Sequence, residues 1–158
     1  MAKQLTDQLK QRHITDPALV GIHTGGVWVA ERLHQQLNIA TPLGLLDISF
    51  YRDDFSRIGV NPQVRPSELP FDVDDRHIVL IDDVLYTGRT ARAALNDLFD
   101  YGRPASVLLA VMIDRGHREL PINADIIGTR LTLATEQQIQ LTGPEPLQLH
   151  IQTGSRTQ

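Results

Sequence analysis

The chain has 158 residues, 41% hydrophobic and 22% charged, which is ordinary usage for a globular domain large enough to bury a core. Its formal net charge of −4 argues against indiscriminate nucleic-acid binding, while leaving room for a local basic face. It has no cysteine, so disulfides and thiolate metal sites are excluded; no apolar run has membrane-spanning length, and the start MAKQLTDQLKQRH is too polar for a signal peptide. The expectation is a cytoplasmic protein without a membrane role, folded as one domain over residues 1–158.

Residues 3–12 read as a short polar helix with Leu5 and Leu9 at i, i+4. Asp16-Pro17 introduces a strand over 18–22, followed by His23-Thr24-Gly25-Gly26. A helix comes next, with Val27, Ala30, Leu33, His34 and Leu37 on one face. This strand–turn–helix unit is a candidate anion site, although its glycines equally suit a plain tight turn. Residues 43–50 read as the next strand, carrying Asp47 and running into Tyr51-Arg52-Asp53-Asp54. Over 55–70 there is no apolar period, and three prolines accompany Gly59, so the stretch is a functional lid or disordered. Its arginines and Arg52 are either anion contacts or solvated surface groups.

The most informative stretch is 78–101, IVLIDDVLYTGRTARAALNDLFDY. Ile78-Val79-Leu80-Ile81 reads as a strand buried on both faces, ending at the adjacent acids Asp82 and Asp83. Thr87, Gly88 and Thr90 form a small-residue turn, and Ala91, Ala94, Leu95, Leu98 and Phe99 mark the apolar stripe of a helix. Backbone N–H groups at such a helix start favour an anion, Gly88 permits a turn with positive φ, and the threonine hydroxyls can donate to phosphate oxygens. The carboxylates can accept from a vicinal diol or hold a metal ion. Neighbouring strand residues face opposite ways, so both acids serve one ligand only if the backbone leaves the strand at Asp83.

Gly102-Arg103-Pro104 ends this helix, and 106–113 is another doubly buried strand. It leads into Asp114-Arg115-Gly116-His117-Arg118-Glu119-Leu120-Pro121, again at the expected ligand edge. The tail reads as short strands at 126–127, 131–133 and 147–151. Six histidines show no HxH or HExxH spacing, so no protein-ligated zinc site is expected. Alternating helices and strands predict an α/β fold with a mostly parallel central sheet flanked by helices.

VLIDDVLYTGRT resembles the phosphoribosyl diphosphate (PRPP) motif of type I phosphoribosyltransferases, and more narrowly its form in the PyrR family. DRGHRELP is a more specific PyrR-like signature, GIHTGGVWVA is similar to the family's pyrophosphate loop, and DISFYRDD resembles the start of its mobile loop. The resemblance runs from about Ala18 to Ile139. It implies a type I phosphoribosyltransferase-like fold with a small C-terminal hood, Asp82 and Asp83 on the ribose hydroxyls, and Val84, Leu85, Tyr86, Thr87, Gly88, Arg89 and Thr90 around the 5′-phosphate. It further implies Thr24, Gly25 and Gly26 at the pyrophosphate, Arg115 at the nucleotide and Ile139 at the base. Arg65 and Arg52 become the candidate catalytic arginines, with Arg57 a further lid candidate. His117 and Arg118 fall on the patch that RNA-binding members use.

The chain departs from the family where Gly25 replaces a common arginine and where Thr132-Leu133-Ala134 replaces Pro-Thr-Ser. Asp7 and Asn123 stand where RNA-binding members tend to have arginines. The resemblance implies uracil phosphoribosyltransferase activity, uracil and PRPP giving UMP and diphosphate, with Mg²⁺ held mainly through PRPP. It couples this to regulation of pyrimidine genes and implies a homodimer or higher homo-oligomer. The alternative is a UMP-dependent attenuator that binds pyrimidine-operon leader RNA with little or no catalysis. A Mg²⁺-dependent phosphatase or receiver domain built on Asp82-Asp83 would need a Lys or Ser/Thr constellation that the sequence does not show.

Overall fold

The computed structural model describes residues 1–48 and 67–154. Helices α1 (Ala2–Gln11), α2 (Gly25–Leu37) and α3 (Arg89–Asp100) alternate with strands β1 (Ala18–Ile22), β2 (Gly44–Leu46), β3 (His77–Leu85), β4 (Ser106–Asp114) and β5 (Ile126–Arg130). A hairpin of β6 (Gln137–Thr142) and β7 (Gln148–Thr153) follows. The five strands form one parallel sheet in the order β2-β1-β3-β4-β5, and β6 pairs antiparallel with β7. This is the expected mostly parallel α/β sheet flanked by helices, with a small C-terminal extension.

Both faces of the sheet are covered, which is why its strands read as unbroken apolar runs. Alternate residues serve different layers. Ala18, Val20 and Ile22 of β1 and Ile78 and Leu80 of β3 pack with Ala91, Ala94 and Leu98 of α3. Leu19, Val79 and Ile81 pack on the opposite face with Leu5 and Leu9 of α1 and Val29, Ala30 and Leu33 of α2. The hairpin joins that second layer through Leu141 and Leu147, beside Trp28.

The structure corrects four expectations. First, β3 does not end at Ile81: its pairing with β4 continues through Asp82↔Val111, Val84↔Ile113 and Leu85↔Asp114. The acids therefore sit inside the strand, and the backbone does not leave it at Asp83. Second, Phe99 is 54% exposed and stands off the α3 stripe, whose buried residues are Ala91, Ala93, Ala94 and Leu98. At 100° per residue, position 99 lies about 80° round from Ala91, at the edge of the buried face.

Third, residues 131–133 are not a strand; β5 ends at Arg130, and the strand missed is the glutamine-rich β6. Fourth, the end of the 55–70 stretch is structured. Leu45 and Glu68 form an antiparallel bridge, with N–H to O distances of 2.7 and 2.8 Å, and Leu69 packs on the core. Two backbone bonds and one apolar anchor hold residues 67–70.

Candidate nucleotide site

The sheet order reverses direction between β1 and β3, so a crevice opens beyond the carboxyl ends of these strands. The segments following β1, β3 and β4 form its walls. Along the first, the His23 N–H donates to the Leu46 carbonyl at 2.9 Å, and the His23–Thr24 peptide is cis. The Thr24 carbonyl accepts from the Val27 N–H at 3.2 Å, and Gly25 and Gly26 open α2.

Both glycines are buried against the end of β3. A Cβ on Gly25 would overlap the Asp83 carboxylate, 2.7 Å from its Cγ. One on Gly26 would lie 2.6 Å from the Ile81 carbonyl oxygen and 3.0 Å from the Asp82 Cα. The first turn of α2, with N–H groups that lack intrahelical acceptors, thus lies directly against the two acids. Glycine is required here by close approach.

Asp82 is 6% exposed and Asp83 half-buried. Each carboxylate Oδ1 accepts the N–H of the next residue, Asp82 from Asp83 and Asp83 from Val84, both at 2.9 Å. These bonds fix both side chains, and the Asp83 carboxylate keeps lone pairs for further donors.

Past Leu85 the chain turns through Tyr86, Thr87 and Gly88 into α3. Gly88 caps the helix with φ +94°, the left-handed region that disfavours any side chain. The Thr87 Oγ1 accepts the Arg89 N–H at 3.2 Å, and its own hydroxyl proton remains to be donated. Thr90 lies in the first turn of α3, whose N–H groups point out of the helix end.

The segment after β4 is fastened to this loop. Arg115 donates its N–H to the Leu85 carbonyl at 3.0 Å, and Glu119 and Leu120 donate theirs to the Thr87 carbonyl at 2.9 and 3.1 Å. Leu120 and Ile122 pack over Gly88. The Arg115 side chain is 7% exposed, and its Cζ lies 3.9 Å from the Tyr86 ring centroid, a cation–π stack. Its buried Nε–H has no hydrogen-bond acceptor among the described residues. Native structures rarely leave such a donor unpaired, which makes it a candidate ligand contact. His117 is exposed and meets the same Tyr86 ring edge-on at 6.2 Å between centroids.

The structure therefore brings together Thr24, Gly25, Gly26, Asp82, Asp83, the stretch from Val84 to Thr90, and Arg115. Ile139 is on β6, opposite Ile151 of β7 and half-buried. Arg52, Arg57 and Arg65 lie outside the described residues. Sequence reasoning missed the interior role of Arg118, which bonds to Tyr86, Gly116, Ile122 and Asp114. Three of those partners are backbone carbonyls, which no side-chain pattern announces. It also missed Ser67, which accepts the Asp47 N–H at 3.1 Å and donates to Asp97 at 3.0 Å. Burial, with Asp100 and Asp47 nearby, pushes the Asp97 carboxyl above its ordinary 3.8, against the lowering effect of the Ser67 bond.

Comparison with known proteins defines the class first. A phosphoribosyl transferase domain profile matches residues 1–145. The fold is similar to a hypoxanthine phosphoribosyltransferase from Staphylococcus aureus, with TM-score 0.63 and 20% identity over 83% of this chain and 71% of that one. It is also similar to a Trypanosoma cruzi hypoxanthine phosphoribosyl transferase, with TM-score 0.62 and 22% identity over 84% and 71%.

The curated relatives are narrower. The bifunctional protein PyrR of Nitrosococcus oceani is 60% identical over 96% of this chain and 87% of its own length. That of Pseudomonas syringae pv. tomato is 59% identical over 96% and 89%. The chain belongs to the PyrR family of phosphoribosyltransferase-fold proteins. Among the described residues, no helix is long and apolar enough to cross a membrane.

Proposed function

We propose that this chain is a uracil phosphoribosyltransferase, converting uracil and PRPP to UMP and diphosphate. The observation that carries the reading is the closure of the α2 glycine turn on the Asp82-Asp83 pair, beside a phosphate-type loop. A turn of backbone N–H groups suits the pyrophosphate, and although β3 runs on through Asp83, both carboxylates lie against that turn, Asp83 at Gly25 and Asp82 Oδ1 3.3 Å from where a Cβ on Gly26 would sit, so the pair suits the ribose diol. The Thr87–Thr90 turn suits the 5′-phosphate. The buried Arg115 guanidinium supplies a fixed positive charge on the nucleotide side.

In the reaction, N1 of uracil bonds to C1′ as the C1′–O bond to diphosphate breaks, with inversion, and the N1 proton is lost. Diphosphate carries the bonding electrons away. Catalysis is positioning plus stabilisation of the leaving group's charge, and no protein nucleophile enters. Arg65 and Arg52 are the proposed arginines for that charge. Among the described residues, no three His, Cys, Asp or Glu side chains gather as a metal cage. Two carboxylates beside a polyphosphate suit Mg²⁺, which keeps waters and takes substrate oxygens. When bound, the ion neutralises the diphosphate; Asp82 and Asp83 are the residues that would face it or its waters.

The test is PRPP-dependent conversion of radiolabelled uracil, hypoxanthine, guanine and orotate, side by side. UMP as the dominant product is expected; turnover of a purine or of orotate, with none of uracil, overturns the base assignment. A second reading is regulation through pyrimidine-operon leader RNA, favoured by the exposed His117 on the Tyr86 ring and by the word bifunctional in the relatives' names. Nanomolar, UMP-enhanced RNA binding lost in His117→Ala would make that the primary role.

A further inference from the structure

Arg118 invites assignment to the surface, as an arginine in a charged loop beside an exposed histidine. Its environment is the opposite. The side chain is 19% exposed, and three of its nitrogens each have a partner within 3.0 Å. Nε donates to the Ile122 carbonyl at 2.7 Å, Nη1 to the Tyr86 carbonyl at 2.9 Å, and Nη2 pairs with Asp114 Oδ1 at 2.8 Å. The Gly116 carbonyl lies 3.5 Å from Nη1, and Asp114 Oδ1 also accepts the Gly116 N–H at 3.0 Å. One planar guanidinium thus joins the end of β4, both ends of the loop that follows, and the first residue of the turn after β3.

We propose that Arg118 is a positioning residue for the nucleotide site, acting as a clamp that locks the 114–122 loop onto the 86–88 turn. The proposal rests on the nucleotide-site reading above. The clamp holds two elements at once. It fixes the backbone of Tyr86, on whose ring Arg115 stacks, and it keeps Glu119 and Leu120 where their N–H groups reach the Thr87 carbonyl. Without it, Arg115 and the phosphate turn would each stay attached to the sheet but lose their fixed relation to one another. A lysine cannot substitute, because a single ammonium on a flexible stem does not reproduce the planar fork.

The test uses the full chain with Arg118→Gln and Arg118→Lys and has two independent readouts. Amide hydrogen exchange needs no ligand: protection of Glu119 and Leu120 should fall at least tenfold in both variants, while Val79 and Leu109 in the sheet stay protected. Calorimetry with UMP and with Mg²⁺–PRPP should show affinity weakened about tenfold or more, the scale of one lost charge-assisted bond. The PRPP KM should rise with kcat changing less. If Glu119 and Leu120 stay protected, or if both ligands bind the variants as they bind the parent, the clamp is overturned. Unchanged exchange and UMP affinity with loss of leader-RNA binding would likewise overturn it and make Arg118 an outward RNA contact. A parent protein that binds neither ligand defeats the nucleotide-site reading, and the exchange data alone then decide the clamp.

Discussion

Asp82 and Asp83 are neighbours with different surroundings: one is nearly inaccessible, with its Cα against Gly26, the other half-buried against Gly25. Their roles should separate in the same way. Asp83→Asn keeps the shape and the bond to Val84 but removes the charge next to the α2 N-terminus. A hydrogen bond to a charged group is worth roughly 1.5–3 kcal/mol, so PRPP affinity should fall about tenfold or more with the melting temperature nearly unchanged. Asp82→Asn, in the more buried position, should lose affinity and some stability together. Calorimetric titration with Mg²⁺–PRPP and a thermal melt check both; unchanged affinity in the two variants would end the diol assignment.

At the scale of elements, α3 offers a direct contrast between adjacent side chains. Leu98 is fully buried and Phe99 is 54% exposed. Leu98→Ala should cost roughly 2–5 kcal/mol in a urea melt. Phe99→Ala should stay within about 0.5 kcal/mol, as for other surface changes. Equal costs would contradict the burial pattern.

The same helix carries Asp97, whose carboxyl pKa is raised by burial and by its acidic neighbours. A carboxyl with a raised folded pKa binds protons more tightly when folded. Its contribution to stability is therefore greatest below the ordinary 3.8 and is lost as pH rises through the folded value. Asp97→Asn should thus gain on the parent as melts are taken upward from pH 3.5; parallel pH profiles would contradict this.

The β3–turn–α3 unit was legible because a doubly buried strand, a Gly/Thr turn and a 3.6-residue stripe each leave a pattern in residue types. The true end of β3 was not, since Asp82 and Asp83 look like a strand terminus until β4 pairs with them. Nor was β6 legible, because Ile139 and Leu141 are its only apolar residues amid glutamine and threonine. The hold of Arg118 on backbone carbonyls is invisible for a different reason: every sequence supplies carbonyls.

The whole molecule works as a frame that gathers three chain segments, far apart in sequence, at one sheet edge. The parallel order with its reversal between β1 and β3 places the Gly25 turn, the acids and the Tyr86–Thr90 loop around one crevice. The bonds from Arg115, Glu119 and Leu120 then add the third wall. A rival cavity of about 380 Å³ lies elsewhere, between α1 and β5, lined by Gln4, Asp7, Gln8 and Arg130 among others. Locating the nucleotide distinguishes the two without relying on turnover. The measurement is a titration of the ¹⁵N-labelled protein with UMP, following amide chemical shifts residue by residue. Shifts are expected to concentrate at Asp82–Thr90 and Asp114–Ile122, with α1 and Arg130 unmoved. Shifts confined to Gln4, Asp7, Gln8 and Arg130, or none at saturating UMP, would contradict it.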